Sequence, residues 1–187
     1  TGSLTMPSHF SSDAGRETHS ARDAAETAMA LDPLEPFANY ALGRAHWLDA
    51  DLDGARTWLG RCIELNPNHA QGVYASALVD TISGVYDDVG PRIDLARALS
   101  PYDPLRYAML ITRCLMLLPS GAYDEAAIWA EQAAREPNAH VLIDLIAAIA
   151  RELGGARPQA ERWMASARRK NAAMTREDFF LSLPFRD

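Results

Sequence analysis

The chain has 187 residues, 48% of them hydrophobic and 23% charged, and a formal net charge of −7. That is enough chain for one ordinary globular domain with a sizeable core, and the acidic balance argues against a general nucleic-acid binder, which carries a basic surface. Two cysteines, Cys62 and Cys114, make no disulfide framework and read as small buried hydrophobes.

Residues Thr1 to about Ser11 are polar and lack periodicity, so they read as a lead-in, with Thr1-Gly2-Ser3 a cloning remnant. TGSLTMPSHF has no basic region followed by a long apolar core, so no signal peptide is expected and a cytoplasmic location is. Ser12 or Asp13 can cap a helix running to about Leu31, with Ala21, Ala25 and Ala28 on one face and Asp32-Pro33 closing it. Pro36 to Pro67 then gives two helical patterns around a polar turn, Asp49-Ala50-Asp51-Leu52-Asp53. Leu42-Gly43 puts a small residue where two helices must approach closely. Ala55, Leu59 and Cys62 share a face at i, i+4, i+7, and Pro67 ends the pattern.

The spacing Pro33 to Pro67 is 34 residues, and so is Pro67 to Pro101. On that period, 70–101 forms a second full repeat. Val73, Ser76 and Ala77 take its close-contact positions, Gly84 its turn, and Val89, Ile93 and Ala96 its inner face. Ser76 and Val89 depart from the pattern, and Gly90-Pro91 predicts a second helix that starts near Pro91. The third repeat, 104–137, opens with an unusually apolar helix from Pro104 to Leu118, broken by Pro119-Ser120-Gly121. Its second helix starts at Tyr123 and stops before Pro137, about three residues late on the 34-residue frame. The fourth repeat, 141–172, turns at Gly154-Gly155 and faces Ala160, Met164 and Ala167 inward. Its apolar run Val141 to Ala150 is too short to span a bilayer and is interrupted by Asp144, so no membrane association is expected. Thr175-Arg176-Glu177-Asp178 fits a capping box for a short last helix, 175–184, carrying Phe179, Phe180 and Leu183 and stopped by Pro184. That helix is expected to cover the last apolar face.

These features resemble the tetratricopeptide (TPR) repeat: the 34-residue period, the Leu-Gly pair, the small-large-small second helix and the closing proline. His46 stands where the family usually has Tyr, and Ala50 where it usually has Gly. The resemblance implies an all-α, right-handed TPR superhelix, an α-solenoid. It would hold a starting half repeat (12–33), full repeats at 36–67, 70–101, 104–137 (irregular) and 141–172, and a capping helix, all as a single domain over 12–187. SPYDPLRYAML, REPNAH and TREDFFLSLPFRD further resemble TPR regions of bacterial winged-helix transcriptional regulators and class III adenylate cyclases.

The residues show no catalytic set. Gly154-Gly155 lacks the Lys-Ser/Thr of a phosphate-binding loop. His9, His19, His46, His69 and His140 show no metal-ligand spacing, and His46 reads as a packed ring with one hydrogen bond. Asp49, Asp51, Asp53 and Gly54 mimic the start of a calcium loop, but Gly60 holds the position that needs a bidentate Glu, so they read as a solvated turn. Arg157, Arg162, Arg168, Arg169 and Lys170 read as a solvated helix face. No enzyme, cofactor or metal is therefore expected.

On the TPR frame the first helices of the repeats line a concave groove. The side chains implied to face it are Phe37, Tyr40, Arg44, Trp47, Gln71, Tyr74 and Leu78, followed by Leu105, Ala108 and Thr112. Aromatic and arginine side chains anchor interfaces well. Tyr40, Arg44, Tyr74 and Leu78 stand where a carboxylate clamp for chaperone tails needs Lys and Asn, which argues against that ligand. The expected function is non-catalytic binding of a protein or peptide partner, as the regulatory part of a bacterial signalling or transcription protein. A small-effector sensor is one alternative. A homodimerisation module is another, with the Leu115-to-Leu118 stretch as its apolar edge.

Overall fold

The computed structural model describes residues 12–183, with side chains from residue 20 onward. The predicted lead-in, His9 and Pro184 lie outside the described residues, as do the side chains of Ser12, Asp13 and His19. Among the described residues there are ten α-helices, one short 3-10 turn and no strand. They divide into two compact units, one ending at Gly72 and one beginning at Val73.

In the N-terminal unit, α1 spans Ser12–Leu31, α2 Pro36–Leu48 and α3 Leu52–Leu65. The start of α2 is over-determined. Pro36 fixes its first turn, the Glu35 carboxylate accepts the Ala38 N–H at 2.6 Å, and buried Asn39 donates to the carbonyls of Pro33 and Glu35 at 3.1 and 2.9 Å. Asp51 caps α3 by accepting the Gly54 N–H at 2.9 Å. α2 and α3 close into a hairpin over fully buried Ala55, Leu59 and Cys62, the three residues the spacing selects. Gly43 is the close approach: a Cβ there would lie 2.7 Å from Leu59 Cγ and 3.1 Å from Leu59 N. Among the described side chains of α1, Ala25 is buried, Ala28 is half-buried, and Ala21, expected on the same inward face, is exposed.

The helix α4, Ala70–Ile82, starts in the first unit and continues into the second. The C-terminal unit then holds α5 (Val89–Leu99), α6 (Arg106–Leu117), the 3-10 turn Leu118–Ser120, α7 (Tyr123–Arg135), α8 (Val141–Leu153), α9 (Arg157–Lys170) and α10 (Arg176–Ser182). Gly84 makes the turn after α4 at φ +77°, a left-handed backbone that favours glycine. α5 begins at Val89, two residues before Pro91, because a first helical turn has free N–H groups and loses nothing to a proline. Val89, Ile93 and Ala96 are fully buried, as is the Asp144 side chain, whose Oδ1 accepts from Lys170 Nζ at 2.8 Å. The departure at Ser76 has a partner: its hydroxyl accepts from Arg92 Nη1 at 2.8 Å, while Arg92 Nη2 reaches Asp80 at 2.6 Å.

One core unites α6, α7 and α8. It includes Tyr107, Leu110, Ile111, Cys114 and Leu115 on α6, Ala126, Ala127, Ala130 and Ala133 on α7, and Ile143, Ile146, Ala147 and Ala150 on α8. The alanines of α7 bring helix backbones close, and burying such apolar surface contributes roughly 25 cal/mol per Å². The predicted capping box is present: Thr175 Oγ1 accepts the Asp178 N–H at 3.1 Å and Asp178 Oδ2 accepts the Thr175 N–H at 2.9 Å. It launches α10, whose Phe179 packs on the core together with Leu183 just beyond it, while Phe180 stays 51% exposed. The Leu115-to-Leu118 stretch is not the exposed apolar edge proposed for dimerisation. Leu115 is buried, Met116 is half-buried, and Leu117 and Leu118 pack against the same core.

Candidate functional site

Phe37, Tyr40, Arg44 and Trp47 recur at i, i+3, i+7 and i+10, so α2 presents them along one face. Phe37 is 61% exposed. Its ring centroid lies 5.8 Å from that of Tyr40 and 6.4 Å from that of His69, and Tyr40 and His69 are 5.2 Å apart. Tyr40 is buried, and its hydroxyl donates to Gln71 Oε1 at 3.1 Å, so two predicted residues from different helices meet. The Arg44 guanidinium lies 5.0 Å over the Trp47 ring. Arg44 Nε and Trp47 Nε1 are both buried with no hydrogen-bond partner, and Arg44 has no ion pair among the described residues.

His69 was not among the expected site residues. Its Nδ1 accepts the Gly72 N–H at 2.9 Å, which caps the start of α4 and leaves Nε2 to carry the proton of the neutral ring. The 34-residue frame holds the signal, since His69 follows the cap residue Glu35 by one period, and Asp103, one period later, accepts the Leu105 N–H at 2.8 Å.

In the C-terminal unit, Tyr74 is buried and Leu78 half-buried. Thr112, expected to line the groove, is fully buried and its hydroxyl donates to the Ala108 carbonyl at 2.8 Å. Leu105 and Ala108 are half-buried and pack on the α6–α8 core. The apolar stripe of α6 is broad enough that its expected outer residues are drawn into packing.

The polar turn between α2 and α3 is a closed network. Arg22 of α1 pairs with Asp49, His46 Nδ1 lies 2.8 Å from Asp51, and Asp51 also caps α3. The Gly54 N–H and then His46 hold the Asp51 carboxyl below its ordinary range. These carboxylates are committed to cap and ion-pair roles, and no group of metal-binding residues occurs among the described residues. The single hydrogen bond expected of His46 is joined by Arg22 Nη2 at 3.3–3.4 Å from both ring nitrogens. Cys62 and Cys114 are fully buried, and burial pushes their thiols up to about 11 and about 12, so neither is a nucleophile at neutral pH. His140, packed edge-on to Tyr107 at 5.3 Å, is pushed down to about 4, chiefly by burial and then by Lys170.

No known protein family matches the sequence, and no curated protein matches it. Solved structures do. PilW, described as a widely conserved type IV pilus biogenesis factor, superposes with a TM-score of 0.75 at 15% identity over 89% of this chain and 76% of that one. TTC0263, a thermophilic TPR protein of Thermus thermophilus, gives 0.70 at 17% identity over 91% of both chains. YrrB, a TPR protein with an unusual peptide-binding site, gives 0.61 at 15% identity over 91% of this chain and 85% of that one. At these identities the likeness speaks for the fold, and the fold of this chain is that of the TPR solenoid proteins.

Proposed function

We propose that the chain is a non-catalytic interaction module, residues 12–187 acting as one TPR domain, and that it binds a segment of a partner protein in the concave groove, against the Phe37–Trp47 face of α2. The observation that carries this reading is Arg44. A half-buried guanidinium with a buried, unpartnered Nε is costly, because buried polar groups are nearly always hydrogen-bonded. Here it lies on a face with an exposed Phe37 and a Trp47 whose indole N–H also lacks an acceptor. A partner segment supplying an acidic side chain or a carbonyl would answer Arg44, while exposed Phe37 and half-buried Trp47 supply aromatic area and buried Tyr40 supports Phe37 from 5.8 Å. Gln71 fixes Tyr40. Peptide binding by YrrB favours the same class of ligand. The host setting we propose, a bacterial signalling or transcription regulator acting in the cytoplasm, rests on the SPYDPLRYAML, REPNAH and TREDFFLSLPFRD resemblance alone.

Tyr40→Ala with Arg44→Ala should abolish capture of the partner from cells of the source organism, judged against wild type, with helix content unchanged by circular dichroism. A partner retained at wild-type affinity by the folded double variant would remove α2 from the interface.

A further inference from the structure

The C-terminal unit carries a cavity of about 400 Å³ lined from α7, α8 and α9. Arg135, Arg151, Arg162 and Arg169 line it, together with Trp163 and a single acid, Glu131. Four positive groups against one negative form a concentrated basic site in a chain whose net charge is −7. Its charges are not all equivalent. Glu131 Oε1 accepts from Arg151 Nε at 2.7 Å and from Trp163 Nε1 at 3.1 Å, so Arg151 is neutralised inside the site. Arg135 reaches the other oxygen only at 3.4 Å, and its side chain is two-thirds exposed. Arg162 and Arg169 are exposed and have no ion pair among the described residues.

Spacing selects the ligand. Arg162 and Arg169 are seven residues apart on α9, two turns or about 10 Å along one face, with Ser166 between them. That spacing lets two separate anionic groups each meet one guanidinium. An extended chain in the polyproline form places every third side chain on one side, about 9 Å apart, and each guanidinium offers paired N–H groups that fit a carboxylate. We propose that this cavity and the Arg162–Arg169 face of α9 dock an acidic segment of a partner protein, one carboxylate to each guanidinium. It shares no residue with the face proposed on α2, and the proposal does not rest on that reading.

The probe is a fluorescein-labelled peptide, Glu-Pro-Pro-Glu-Pro-Pro-Glu, titrated with the full chain by fluorescence anisotropy at low ionic strength. It should bind, and its Gln-for-Glu counterpart should not. Arg162→Glu with Arg169→Glu should weaken binding about tenfold or more, since reversing an interface charge turns attraction into repulsion. Arg168→Glu, beside Arg169 in sequence but outside the cavity lining, should cost less than about threefold. Tyr40→Ala with Arg44→Ala should bind this peptide as wild type does, even if those changes abolish the natural partner. The proposal is overturned if the paired reversal has no effect, if Arg168→Glu costs as much (a diffuse basic attraction), or if the peptide fails to bind. In the last case, inorganic phosphate raising the melting temperature would identify a small-anion site instead.

Discussion

Gly43 sits inside α2, where alanine ordinarily raises helix stability by about 1 kcal/mol. The added methyl would, however, meet Leu59 Cγ at 2.7 Å and the Leu59 backbone nitrogen at 3.1 Å. A backbone atom cannot rotate away, so α3 as a whole would have to move. Overpacking of this kind costs about 1–3 kcal/mol, which exceeds the gain in propensity. Gly43→Ala should therefore lower stability by about 1 kcal/mol, read as the urea midpoint. Combined with Leu59→Ala it should cost less than the sum of the two, because part of the clash is with the Leu59 side chain. A Gly43→Ala variant more stable than wild type would mean that the hairpin can open at no cost.

α10 is seven residues long and rests on its capping box and on the two apolar contacts of Phe179 and Leu183. A helix so short is marginal without such support. Thr175→Ala removes the side chain that accepts the Asp178 N–H, at a cost of about 1 kcal/mol. That loss should appear locally, as roughly fivefold faster trypsin cleavage after Arg176, with little change in global melting. Unchanged cleavage would show that the apolar contacts alone hold α10. Both hairpin packing and this cap were legible in the sequence, since each depends on residues within one helical turn or one 34-residue period. What was not legible depends on groups far apart in sequence. The Arg162 and Arg169 face reads as solvated until Arg135 and Arg151 of other helices are brought beside it. The inward pull on Thr112 and the Leu115-to-Leu118 stretch follows from packing α6 on both α7 and α8, which periodicity within α6 cannot reveal.

At the scale of the whole chain, each compact unit holds one fully buried thiol: Cys62 in the first and Cys114 in the second. Burial raises both thiols far above neutral pH, so reagent attack requires opening, and each cysteine reports on its own unit. Repeat folds are stabilised by neighbour contacts, so their parts open in proportion to the packing around them. Cys114 lies in a core shared by α6, α7 and α8 and covered by α10 residues. Cys62 lies in the α2–α3 hairpin against Gly72 at the start of α4, where a Cβ would lie 2.7 Å from its sulfur, and α1 adds to the unit Ala25 as its buried side chain among the described residues. Thiol labelling across a urea series should therefore modify Cys62 at a lower urea concentration than Cys114, with mass spectrometry of the peptides assigning each. Coincident labelling midpoints would instead show that the two units unfold as one cooperative body, and the Gly43→Ala loss would then appear equally at both thiols.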